Sequence, residues 1–247
     1  MRKTLFTCLA LLLPVLPLLA QSSFVKPVIF GLKGGLNASF FTKDVDLFDP
    51  ASSGNDPSFR RFLRAAAFAG ITVDYMVGER FSVGAEVLYN ARGMAYRQKN
   101  NSVIMIGQNG AEQAYNYFKY KVDYLELPLT AGYNVLPVAS DNWLTGYVGL
   151  APAIAINKAV KLDYPKPNAG PWEGQADKSG NLDGVRTFNT SMLAGIQFGG
   201  VPSFVGAYAD LRASYTLFPV FTENNSLSGN NLNTRMLSFS FGIGLKF

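Results

Sequence analysis

Two of the side chains most used in catalysis are absent or nearly so from this chain of 247 residues: it has no histidine, and Cys8 is its only cysteine. Losing histidine removes the commonest general base, the commonest metal ligand and the middle member of a Ser-His-Asp triad. Carboxylates remain. Glu86 and Asp210 can be written as an acid/base pair, but spacing in sequence puts them near neither each other nor a substrate, and geometry must precede chemistry in naming a general base. The run Asp177-Lys178-Ser179-Gly180-Asn181-Leu182-Asp183-Gly184 sets oxygen ligands at alternate positions, in the manner of a calcium loop. It lacks the sixth-position glycine and the acidic twelfth residue of such a loop, so it reads as an Asn/Gly turn. The acidic cluster Asp44, Asp46, Asp49 and Asp56 reads as solvated loop. No enzymatic activity, cofactor or metal site is expected.

Nine charges have a common property. Lys33, Arg64, Asp74, Glu86, Arg92, Glu126, Asp210, Arg212 and Lys246 each fall on the polar side of a segment whose other side is apolar. Five are basic and four acidic, a near balance expected of a cross-linked polar plug, because buried charges persist only when paired and hydrogen-bonded. A gated ion path lined by the same groups is the functional alternative.

The segments that must position these charges alternate with period two, the pattern of a strand with two unlike faces. Eight are long enough to cross a bilayer as tilted strands of about 9 to 11 residues: 28–40, 63–77, 81–97, 117–133, 143–157, 185–198, 204–218 and 237–247. The last reads LSFSFGIGLKF, with Leu237, Phe239, Phe241, Ile243, Leu245 and Phe247 on one face and Ser238, Ser240, Gly242, Gly244 and Lys246 on the other. In the fourth, Lys119, Lys121 and Asp123 share parity with Leu125, Leu127 and Leu129, so a bulge near Asp123 is expected to flip the faces. Links after the second, fourth and sixth segments are short; those at 41–62, 98–116, 158–184 and 219–235 are long and polar. Within the second of these, Val103-Ile104-Met105-Ile106 is apolar and is expected to extend a hairpin.

Short turns on one rim and long loops on the other are the habit of an outer-membrane barrel. In hydrocarbon every backbone polar group must be paired, so alternating strands have to close their sheet. The expected fold is all-β: a closed antiparallel eight-stranded up-and-down transmembrane β-barrel, with the glycines of Gly31–Asn37 meeting Gly242 and Gly244 at the seam. Tyr75, Phe81, Tyr133, Trp143, Phe198, Phe204 and Phe247 fall at the short-turn rim as an interfacial girdle. Eight strands enclose an interior that side chains fill.

The N-terminus agrees with export. Met1-Arg2-Lys3 is basic, Leu5 to Leu19 is apolar but broken by Pro14 and Pro17, and Ala20-Gln21 offers a cleavage point, the plan of a secretory signal peptide. The expected organisation is a leader at 1–20, a short N-terminal segment at 21–27 and one barrel domain at 28–247. Cys8 lies within the apolar run, away from the cleavage point, so a lipid anchor is not expected. The net charge of +5 includes Arg2 and Lys3 of the leader and is too mild and scattered for nucleic acid.

Three stretches together resemble the PorT-like outer-membrane β-barrel family: GLKGGLN (31–37), YLELPL (124–129) and the terminal alternating strand ending in Phe247. The resemblance spans the processed chain. It implies barrel architecture, marks no catalytic residue, and links the protein to secretion across the outer membrane through the family's namesake. It further implies that Phe247 is an assembly signal read by the barrel-insertion machinery. The expected partners are outer-membrane lipid, that machinery, and envelope or secretion-system proteins. The sequence-level alternatives are a small solute pore and, more distantly, a soluble calyx with its faces reversed.

Overall fold

The computed structural model describes residues 28–43, 59–78, 80–107, 110–136, 142–166, 176–200, 205–222 and 233–247. The expected leader with its cleavage point, the acidic cluster from Asp44 to Asp56, and Phe204 lie outside the described residues. The strands are β1 (Val28–Phe41), β2 (Phe59–Phe62), β3 (Arg64–Val77), β4 (Phe81–Gly107), β5 (Gly110–Glu126), β6 (Leu129–Asn134), β7 (Asn142–Asp163), β8 (Lys178–Asn181), β9 (Phe188–Gly200), β10 (Gly206–Thr216) and β11 (Met236–Lys246).

Every pairing is antiparallel and up-and-down. β1 pairs with β3, β3 with β4, β4 with β5 and β6, and these two with β7; β7 pairs with β9, β9 with β10, and β10 with β11. β11 in turn runs beside β1, from Gly31 opposite Lys246 to Phe41 opposite Met236. The ladder continues into the last residue, where Phe247 and Phe30 exchange backbone hydrogen bonds of 2.9 and 3.2 Å. The fold is an antiparallel β-barrel. β5 and β6 form one run broken at Leu127-Pro128, because proline has no N–H to give to a ladder.

Alternation sorts the faces as expected over most of the wall. Lys33, Asn37 and Ser39 of β1 are buried while Leu32 and Leu36 are exposed, and Tyr208, Asp210, Arg212, Ser214 and Thr216 of β10 are buried opposite exposed Leu211. The outward residues are too apolar for water: Leu36 is 65% and Ile243 66% exposed, and Phe239, Phe241 and Leu245 stand beside Ile243. Such a band is stable where the surrounding solvent is lipid. At the seam Gly35 lies opposite Gly242, where a Cβ on Gly35 would meet the Gly242 Cα at 2.6 Å. A bare Gly242 also leaves room for the Phe68 ring inside, whose Cζ would be 2.7 Å from an added Cβ.

The structure departs from the sequence reading in four places. The expected face flip near Asp123 does not occur on β5, where Phe118, Tyr120, Val122, Tyr124 and Glu126 all stay buried; Asp123 between them is buried too, covered on the other face by its partners Arg64, Tyr89 and Asn157. The irregularity is at that level but on the neighbouring strand: Asp123 pairs with Asn157 and Tyr124 with Ala155, leaving Ile156 as the extra residue of β7. Lys119 and Lys121 thus share the outer face with Leu125 because they stand beyond the apolar band, where outside is no longer hydrocarbon.

The connection at 98–116 is likewise no loop. β4 runs on to Gly107 and β5 begins at Gly110, which gives Val103 to Ile106 the hairpin extension expected of them, while Asp177 to Gly184, expected as a turn, contain β8, paired to β7 from Ala159 to Leu162. Finally, Trp143 does not join the girdle. It is half-buried and its ring centroid lies 5.9 Å from that of inward-facing Tyr208. Among the other girdle residues, Phe81 and Tyr133 meet edge-to-face on the outside at 5.3 Å.

Candidate functional site: the barrel interior

The strands bring the predicted charges together from distant parts of the chain. At mid-height Lys33 of β1 reaches Glu86 of β4 at 2.7 Å and Asp210 of β10 at 3.0 Å. Arg212 forks onto Glu86 with Nη1–Oε2 and Nη2–Oε1 distances of 2.9 and 2.8 Å, the bidentate geometry that a planar guanidinium favours. Tyr147 of β7 donates its hydroxyl to Asp210 Oδ1 at 2.5 Å and accepts from Arg212 Nε at 2.9 Å. Two cations therefore face two anions, all with side chains at most 6% exposed. The four carboxylate oxygens of Glu86 and Asp210 are all engaged by Lys33, Arg212 or Tyr147. Nothing in this arrangement leaves either carboxylate poised toward a substrate.

Layers of the same kind lie above and below. Toward the long-loop end, Arg92 pairs with Glu126 at 2.9 Å, Asn90 donates to Glu126 at 3.1 Å, and Asn37 donates to Asn90 at 2.6 Å. Toward the short-turn rim, Lys246 pairs with Asp74 at 2.9 Å, donates to Gln197 at 3.0 Å, and sits 4.3 Å from the Trp143 and 4.9 Å from the Tyr208 ring centroids. Trp143 turns inward because it shares the parity of buried Thr145 and Tyr147 on β7, and the cation–π contact holds its ring there.

Arg64 is the exception among the nine. It does not join these layers but hydrogen-bonds the Arg92 carbonyl and pairs with Asp123 at 3.4 Å. Asp123 also accepts from Tyr89 at 3.2 Å and Asn157 at 2.7 Å. Gly93 makes room for the Arg64 stem: its φ is +148°, and an added Cβ would collide with the Tyr120 carbonyl and lie 3.2 Å from Arg64 Cδ.

Above the charged layers the interior turns apolar. Phe41, Met94, Tyr96, Phe118, Tyr120 and Val122 of the wall pack with Leu182, Val185, Val220 and Phe221, which the chain beyond β8 and β10 folds in from above. A β-bridge between Val185 and Phe221, with backbone bonds from Arg186 to Val220 and from Thr222 to Gly184, holds those segments across the mouth. Phe41 and Phe221 rings meet edge-to-face at 5.7 Å, and burying each such side chain is worth about 1.5–3 kcal/mol. Among the described residues no group of three His, Cys, Asp or Glu side chains stands ready for a metal ion. Sequence reasoning missed Tyr147, Gln197, Asn37, Asn90 and Asp123 as members of these networks, although their parity marks all but Asp123 as inward-facing.

Solved structures similar to the chain are small outer-membrane proteins. OprG from Pseudomonas aeruginosa is 11% identical, covering 89% of this chain and 95% of its own, with a TM-score of 0.41. Neisserial surface protein A is 15% identical over 90% and 97%, at 0.38. The outer membrane protease OmpT from Escherichia coli is 11% identical over 92% and 99%, at 0.43. Scores below 0.5 add no weight, and no curated protein sequence matches the chain. The sequence itself decides the family. The family model described as "Outer membrane protein beta-barrel domain" matches residues 19–247, nearly the whole chain, and the protein is accordingly an outer-membrane protein that belongs to that family.

Proposed function

We propose that the protein is a closed eight-stave barrel, counting β2 with β3 and β5 with β6 and leaving out the short β8 that pairs only with β7, whose lumen is sealed and whose role is structural, binding or secretion-related rather than enzymatic. The observation that carries this reading is the paired Lys33, Glu86, Asp210 and Arg212 cluster, which fills the mid-section with no carboxylate oxygen left over. The PorT-like resemblance supports a task in the secretion envelope, with the long hairpin of β4 and β5 offered to a partner outside the membrane. Met1 to Ala20 act as a cleaved export signal in this reading, and Phe247 is the residue met by the insertion machinery.

The test has two stages. Alkaline extraction should leave the protein with membranes, and unboiled samples should migrate differently from boiled ones in detergent gels; release into the soluble fraction would overturn the membrane reading. Purified protein in a planar bilayer should then give a flat baseline, and stable open steps would establish a pore instead. Deleting Phe247 should lower the folded, heat-modifiable fraction in the outer membrane without reducing export across the inner membrane. Unchanged assembly would remove its signal role.

A further inference from the structure

The outer face of β4, β5 and β7 changes character within a few residues. Tyr89 and Leu125 lie opposite each other as the last members of the apolar band on their strands, and Tyr89 turns its hydroxyl upward to Asp123. Lys121 and Lys119 follow on the same face of β5, and the register sets Lys119 directly opposite Lys161 of β7. Like charges directly opposed across an antiparallel pair are destabilising, so packing alone gives no reason for that pair. Asp163 is shared between them at 2.7 and 2.6 Å and Asp177 lies 3.8 Å from Lys161, so Lys119, Lys121, Lys161 and Arg97 outnumber the two carboxylates, and both paired lysine side chains remain more than 40% exposed. Lys121, opposite Gly93 and Ala159, has no carboxylate within ion-pair distance among the described residues. Arg97, on the same face, lies 4.6 and 4.8 Å from the Phe62 and Tyr115 ring centroids, which fix the guanidinium without neutralising it.

We propose that this cationic shelf binds the phosphate groups of outer-leaflet lipid, fastening lipid headgroups to the barrel beside the extended hairpin. The proposal rests on the outer-membrane reading, because depth is part of the argument. Lys121 stands four residues beyond Leu125, about 13 Å along the strand and roughly 10 Å in height at a tilt near 40°. That is headgroup level above an apolar band that ends at Tyr89 and Leu125. Clusters of basic side chains at that depth recognise anionic lipid, and the contact falls off within a Debye length, so charge and depth have to coincide as they do here.

The experiment titrates folded full-length protein in detergent micelles with a bisphosphorylated glucosamine-based lipid, and with its dephosphorylated form, by native mass spectrometry. Wild-type protein should take up the phosphorylated lipid saturably and prefer it over the dephosphorylated form. The K119Q/K121Q/K161Q variant should lose at least about tenfold in affinity, since each surface lysine near an anionic leaflet is worth about fivefold. The K119R/K121R/K161R variant should retain binding, and K178Q, off the shelf, should match wild type. Wild-type affinity in the glutamine variant, or full competition by millimolar inorganic phosphate, would overturn the assignment, the latter marking a free-anion site. Heat-dependent gel mobility of each variant reports folding separately. Its absence in wild type would undo the barrel reading rather than the shelf.

Discussion

Glu86 is the residue on which the interior depends most, because it hydrogen-bonds both central cations, Lys33 at 2.7 Å and Arg212 at 2.8 Å, whereas Asp210 hydrogen-bonds Lys33 at 3.0 Å and comes no nearer than 3.5 Å to Arg212. Glu86→Gln leaves two buried positive charges facing one carboxylate, Asp210. Breaking a buried pair by removing one partner costs about 3–5 kcal/mol, and unfolding in urea from detergent micelles should show a loss of that order. Lys246→Gln should cost only about 1 kcal/mol, since Lys246 and Asp74 are each partly exposed at the rim and water replaces the lost contact. Equal costs at the two sites would mean that water fills the mid-section. Parity alone identified Glu86 and Lys246 as inward, and a charge on an otherwise apolar-faced strand has nowhere to go but the lumen. Partner choice was not legible, because Lys33 and Asp210 are 177 residues apart and meet only through pairings across three strands. Arg64 misled for a related reason: its parity is that of the lumen, but the break at Leu63 and the open space over Gly93 let its long side chain reach Asp123.

Strand pairing itself gives two further tests. Gly35 of β1 lies against Gly242 of β11, and a methyl group there would press on the Phe241 carbonyl and the Gly242 Cα. Gly35→Ala should therefore cost about 1–3 kcal/mol and reduce the heat-modifiable fraction, the usual effect of overpacking. At the adjacent Gly34 an added Cβ meets nothing nearer than the Phe68 carbonyl at 3.4 Å, so Gly34→Ala should stay within about 0.5 kcal/mol. The second test lies beyond the apolar band, between β5 and β7. Burial alone would lift the Asp163 carboxyl, but hydrogen bonds from Lys119 and Lys161 outweigh it and hold the group below the usual carboxylate range. A lowered folded-state pKa gives stability that is present above the unfolded carboxylate range and lost as pH falls through the lowered value. Wild type should melt slightly above Asp163→Asn at neutral pH, by no more than about 1 kcal/mol for so exposed a pair, and the two should converge in acid. The strands of the main wall were legible, since period two needs only the local sequence, whereas β8 and the upper parts of β4 and β5 fall in stretches read as turn or loop. The bulge was assigned to the wrong strand because a change of parity has two causes, an extra residue or a change of solvent, and the sequence of β5 does not distinguish water from lipid.

On the scale of the whole molecule the interior has two packed layers of opposite chemistry, and only the lower one was visible in the sequence. Charges on alternating strands announced a polar plug. The apolar plug above it is assembled from wall residues such as Phe41 and Tyr120 and from Val185 and Phe221, which belong to connections between strands and carry no periodic pattern. Polarity also reverses with height: above the bilayer the inside is apolar and the outside is wet, as in a soluble barrel. Under the proposed sealed lumen the two layers act in series, so opening one alone should not produce a conducting path. Glu86→Ala combined with Arg212→Ala removes the central fork yet leaves Phe41, Tyr120 and Phe221 packed across the mouth, and its planar-bilayer baseline should remain flat. Phe41→Ala combined with Phe221→Ala loosens the mouth above an intact ion network and should also remain flat. Only the fourfold variant, checked for folding by its heat-dependent mobility, should show discrete conductance steps. Steps in the first pair alone would show that the upper plug opens on its own in the bilayer, and the molecule would then have to be understood as a barrel gated at mid-height by its charges.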